Sequence, residues 1–162
     1  MKKSIFAAIM LAGASCGLAA CGGTADETAT AKTAVDTIEG LEITDAKLVL
    51  PPVSGNPAAI YFTLKNGSDS NLAFRSAEVE KAGRAEVHDM MEWSGEMVMG
   101  EAPPIMVPAG DSAAFEPGGK HIMAFDLAEG FAVGDTTKVT LIAAGGKRHV
   151  FEATAQAAGD DR

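Results

Sequence analysis

Glycine and proline punctuate this chain at intervals too short for long helices. The clusters "PPVSGNP", "NGSDSN", "WSGE", "PAGD", "EPGGK", "AEGFAVGD" and "AGGK" divide it, from residue 51 onward, into strand-length pieces. The pieces predict strands near 41–50, 59–65, 72–79, 84–92, 97–100, 104–107, 112–116, 120–127, 136–143 and 148–156. Several alternate apolar and polar residues, most clearly "AIYFTLKN" and "TKVTLIAA", whose β-branched and aromatic residues suit a half-buried pleated surface. No sustained 3.6-residue apolar stripe runs through residues 40–156. Such a chain buries its apolar faces by packing sheet on sheet, so the fold class is all-β: a two-sheet sandwich or small barrel with Greek-key connections. Its 162 residues suffice for one such domain.

The N-terminus reads differently. Lys2 and Lys3 precede the uncharged run "SIFAAIMLAGASCGLAA", a secretory leader over residues 1–20 and too short for a membrane span. "LAAC" at Leu18–Cys21 is similar to a bacterial lipoprotein cleavage site, which makes Cys21 the lipidated residue; the plainer alternative is a signal peptide cut near Ala20. Gly22, rather than aspartate, follows that cysteine, and the expected location is the periplasmic side of the outer membrane. Residues 21–39 are small, polar and aperiodic, the pattern of a flexible tether, and 157–162 read as a disordered tail.

Of 13 basic residues, Lys2 and Lys3 leave with the leader, while all 22 acidic ones remain. That excess of negative charge argues against a nucleic-acid partner. Cys16 leaves too, so with Cys21 acylated no thiol is available as a metal ligand, and thiolates are hard to keep reduced outside the cytosol.

Against that background the soft side chains concentrate. The stretch "HDMMEWSGEMVM", residues 88–99, carries Met90, Met91, Met97 and Met99, and "GGKHIM" follows at 118–123. His121 and Met123, two apart on an expected strand, share a face. The segments flanking "WSGE" form an expected hairpin that folds Met97 and Met99 back toward His88. Imidazole and thioether without thiolate or carboxylate favour Cu(I) over zinc, magnesium or calcium. A blue-copper electron-transfer centre needs a cysteine that the domain lacks. No His-x-x-x-His pair, nucleophile triad or glycine-rich phosphate loop supports an enzyme.

The spacing of His88, ten residues, Met99, twenty-one residues, then His121-Ile122-Met123 resembles the H-x10-M-x21-H-x-M pattern of the PCu(A)C family of periplasmic copper chaperones. "GNPAAIYFTLKN" (55–66) and "VPAGDSAAFEPGGKHIMAFDL" (107–127) extend the resemblance, which covers roughly residues 40–156. It implies a cupredoxin-like β-sandwich, with His88, Met99, His121 and Met123 as Cu(I) ligands. It further implies delivery of copper to an acceptor such as a cytochrome oxidase subunit or a thiol-bearing Sco-like protein. Whether Cu(II) also binds stays open. One departure is Lys120, where the family commonly has an aromatic residue, and it sets a cation beside the site.

The plainer readings stand beside these. A β-sandwich interaction module, or a copper buffer without a delivery role, is the alternative function. Met97 shares a face with Met99 and is the best auxiliary ligand; Met90, with Met91, is either a soft rim to the metal or an adaptable core filler. Trp93 is expected to pack at the hairpin tip, His149 to lie at the surface or a strand end, and Glu92, Glu96 and Glu101 to form a solvated acidic rim. His121 and Met123, on one strand, are expected to be the rigid half of the site, with His88 and Met99 the movable half.

Overall fold

The computed structural model describes residues 36–159. Ten strands occupy most of them: β1 (Leu41–Val49), β2 (Ala58–Asn66), β3 (Leu72–Val79), β4 (Ala82–Trp93), β5 (Glu96–Glu101), β6 (Ile105–Val107), β7 (Ser112–Phe115), β8 (His121–Leu127), β9 (Thr136–Ala143) and β10 (Arg148–Gln156). A single 3-10 turn, Ala144–Gly146, separates the last two. Every strand expected from the turn signals is present, with ends within two residues of expectation. Among the described residues no helix is long and apolar enough to cross a membrane. The leader, Cys21 and most of the expected tether lie outside the described residues, as do 160–162.

Strand pairing follows the order β5-β4-β8-β2-β1-β10-β9-β3-β6, with β7 also on β2. β1 and β10 are parallel and the other pairs antiparallel. β3 and β4 stand far apart in that order, yet only Glu80 and Lys81 separate them in the chain. The sheet must therefore curl until its two halves face each other over one core. That core is built by alternation: Ala58, Ile60, Phe62 and Leu64 of β2 point inward together, against Leu48, Phe74, Ile122, Val139 and Leu141. Phe62 stacks on Phe115 with centroids 4.2 Å apart.

β7 and β8 lie end to end along the same side of β2, where Ser112–Phe115 pair with Phe62–Lys65 and Ile122–Ala124 with Ala58–Ile60. Between them "EPGGK" loops out, closed by the Glu116 N–H donating to the Lys120 carbonyl at 2.8 Å. Gly118, at φ 81°, takes the left-handed turn that this excursion needs. His121 therefore begins a strand directly at the mouth of a tight loop.

The far end of β2 is held by Asn66, fully buried. Its amide nitrogen is shared among the carbonyls of Ser70 (2.8 Å), Val107 (3.0 Å) and Pro108 (3.1 Å), and its oxygen accepts from the Ser68 hydroxyl at 2.6 Å. One side chain thus ties β2 to the β6–β7 connection. Asn66→Ala strips several buried groups of partners at about 1–3 kcal/mol each. It is expected to cost about 3 kcal/mol or more, read as a lowered denaturant midpoint.

Two expectations are corrected here. Asp36–Ile38, expected within the tether, are docked on the domain: the Asp36 carbonyl accepts from the Val150 N–H at 2.8 Å, its carboxylate ion-pairs with Arg148, and Ile38 is buried in the core. His149 lies at the start of β10, the strand-end position expected, but it is 7% exposed rather than at the surface, and its Nδ1 accepts the Ile38 N–H at 3.2 Å. A histidine alternating into a sheet's inner face beside a docked N-terminal segment gives no local sequence signal. Burial holds the His149 imidazole below its ordinary range near 6.5. The unfolded chain therefore binds a proton that the folded one refuses, so stability is retained above about pH 6.5 and declines as pH falls below it. His149→Gln keeps an acceptor without a titration, and is expected to flatten that acid limb in urea unfolding across a pH series.

Candidate metal centre

The site is assembled by register. Val87 of β4 and Ile122 of β8 are cross-strand partners, both buried inward. Alternation then turns their neighbours outward, and the pairs His88↔His121 and Glu86↔Met123 share one outer face. The two imidazole centroids lie 5.9 Å apart at 61°. Tyr61 of β2 flanks His121 with centroids 6.2 Å apart, and His121 is 7% exposed despite facing away from the core.

Hydrogen bonds decide which nitrogens remain available. His121 Nδ1 donates to the Gly119 carbonyl at 2.9 Å, which leaves the Nε2 lone pair free. His88 Nε2 donates to Glu86 Oε2 at 3.0 Å, and His88 Nδ1 is buried with no hydrogen-bond partner. Glu86 in turn pairs with Arg84, whose guanidinium lies 3.9 Å from the Phe125 ring centroid. The bond from His88, reinforced by Arg84, holds the Glu86 carboxyl below its ordinary range, so it stays ionised to orient the imidazole.

The expected hairpin is present. Trp93 pairs with Glu96 across Ser94 and Gly95, whose φ values of 56° and 85° are those of a type I′ turn. Its register places Glu101 opposite His88, Met99 opposite Met90, and Met97 opposite Glu92. Met99 is thus one rung outward from the histidine rung, on the same face, and is 52% exposed. Met91, opposite Val98, is on the other face, so Met90 and Met91 do not form one rim. Trp93 is 73% exposed and does not pack down on its turn. Lys120 reaches Asp89 at 3.4 Å, which compensates the cation expected beside the site.

The geometry also redraws the two halves. His88 lies where β4 still pairs with β8, so it belongs with His121 and Met123 on the well-supported sheet. Met99, on the outermost strand β5, sits beyond that support. Among the described residues no group of three or more His, Cys, Asp or Glu converges on a common point. What the register does place on one face is two imidazoles, each with a ring nitrogen outside the hydrogen bonds described, and the thioethers of Met90, Met97, Met99 and Met123; nitrogen and sulfur of this kind are soft donors. Sequence reasoning missed Glu86; its position two residues from His88 on a strand was the available signal.

The model of the LpqE-like family, described as lipoproteins, matches residues 41–155. The chain belongs to the LpqE-like family. Its fold is shared with solved PCuAC domains. The solution structure of Cu(I)-DR1885 from Deinococcus radiodurans is 25% identical, with TM-score 0.61, over 83% of this chain and 89% of that one. The apo PCuAC domain from PmoF1 is 24% identical, with TM-score 0.62, over 74% and 96%. The copper-bound PCuAC domain from PmoF2 is 17% identical, with TM-score 0.60, over 75% and 96%. The PCu(A)C resemblance and the cupredoxin-like β fold it implied are thereby borne out. No curated protein matches the chain. For this LpqE-like domain, the Gly119 contact predicts that neutral His121 carries its proton on Nδ1, which long-range proton–nitrogen correlation spectra should register; an Nε2–H form would remove the free nitrogen described above.

Proposed function

We propose that this protein is an exported copper carrier that takes Cu(I) as cargo through His88, Met99, His121 and Met123. The observation that carries the reading is the cross-strand histidine pair, with His88 Nδ1 buried and unpartnered beside thioethers on the same face. Two imidazoles and two thioethers suit Cu(I), with Cu(II) a weaker match for the sulfur. The copper-bound PmoF2 domain and Cu(I)-DR1885, which share this fold, point the same way. The protein is not an enzyme in this reading: cargo passes to an acceptor by exchange of ligands, with no bond made or broken in a substrate. A cytochrome oxidase subunit or a thiol-bearing Sco-like protein is the expected acceptor, from the family resemblance.

Export and attachment are part of the proposal. The lipoprotein description of the family agrees with a lipid on Cys21 and a periplasmic location, with the outer membrane as the site of attachment. Cys21→Ser is expected to release the protein from the membrane fraction.

A second reading, a docking module that binds copper only incidentally, draws on the exposure of Met91, Trp93 and Val98 on the hairpin's other face. Competition for Cu(I) with a chromogenic chelator separates the two. The carrier reading expects one equivalent with both nitrogen and sulfur neighbours in X-ray absorption. Glu86→Ala, acting through the orientation of His88, is expected to weaken binding by about 10-fold. His121→Ala is expected to weaken it more than that, and Met99→Leu less than His121→Ala. Weak binding that survives His121→Ala would favour the docking module.

A further inference from the structure

The outer face of the hairpin carries more sulfur than the proposed site uses. Moving from the sheet toward the tip, its rungs are Glu86 with Met123, then His88 between His121 and Glu101, then Met90 with Met99, then Glu92 with Met97. Met97 lies diagonally across from Met90, within reach of a long flexible side chain, so three thioethers share one small patch.

Core packing does not account for them. Met97 and Met99 are 60% and 52% exposed, and Met90 is half-buried. Methionine also lacks the β-branching that favours exposed strand positions. What distinguishes the side chain here is its donor atom. Three neutral thioethers discriminate against magnesium, calcium and zinc, and prefer a monovalent soft cation. Glu92 and Glu101, on the same face, attract cations without supplying soft ligands.

The geometry points to a second metal site, all-thioether, formed by Met90, Met97 and Met99 and specific for Cu(I)-like cations. It rests on the carrier reading only for the identity of its cargo. Met99 belongs to both donor sets, so a cation at the hairpin is one rung, about 7 Å, from the histidine pair. Passage between the two is exchange of one neutral donor for another, releasing neither proton nor electron. The hairpin site is then the port through which cargo reaches and leaves the sheet-held histidines.

The test uses Ag(I), redox-inert and similarly soft, with the methionine methyl groups carbon-13 labelled in a full chain bearing Cys16→Ser and Cys21→Ser so that no thiol competes. Methyl resonances of Met90 and Met97 are expected to shift by two equivalents, and those of Met91, on the opposite face, and Met106, on β6, to stay put. The shifts should persist in His121→Ala, and the second equivalent should vanish in Met90→Leu with Met97→Leu. Unmoved Met90 and Met97 methyls at two equivalents, or a Met91 shift as large as theirs, overturns the port. Met99 and Met123 report separately: if they move while Met90 and Met97 do not, the carrier reading stands and the port falls. If Met90 and Met97 move while Met123 does not, the port stands and the proposed ligand set falls.

Discussion

Everything at the site depends on the register of β4 against β8. Val87 and Ile122 face each other in the core, and burying each is worth about 1.5–3 kcal/mol. A slip of β4 by one residue would expose Val87 and drive His88 into the apolar interior, away from His121. The hydrophobic pattern thus holds the imidazoles in opposition without any metal present. The "EPGGK" excursion serves the same end. It lets β7 and β8 follow one edge of β2 while delivering His121 beside the Gly119 carbonyl that orients it.

Around that frame the charged groups are paired with one another. Arg84 and His88 converge on Glu86, and Lys120 turns to Asp89, so neither cation is left to oppose an incoming metal. The two histidines are set by different means, one by a backbone carbonyl and the other by a carboxylate. The carbonyl belongs to a loop that glycine geometry defines, whereas the carboxylate depends on a surface arginine resting on Phe125. His121 is the more rigidly placed of the pair, in keeping with its deeper burial.

Much of this was legible in the sequence, and the divide has a physical basis. Strand positions follow from period-two alternation and from glycine and proline, both local signals, so all ten strands could be read. The shared face of His121 and Met123 is local in the same sense. Pairing partners are not local: that Glu101 rather than Met99 faces His88 depends on the turn closing at Ser94–Gly95, and one residue more or less would change it. The docking of Asp36–Ile38 and the burial of His149 were invisible for the same reason, since each depends on contacts more than a hundred residues away. Asn66 was visible as a turn residue but not as the tie between two loops.

The proposed carrier role requires firm binding and ready release, and this fold would divide those demands along the sheet. The histidines lie where β4 is paired on both sides, so their geometry is held by two ladders of hydrogen bonds. Met99 lies on β5, which has a neighbour on one side only, in a hairpin whose tip is solvent-exposed on both faces. Elements with fewer supporting contacts open at lower free energy than the core strands. In that proposal affinity resides mainly in imidazoles that cannot easily move, and exchange begins at a thioether that can. On the proposed reading, an acceptor approaching from the hairpin meets the weakest donor first, and need not unfold the sheet to take the metal.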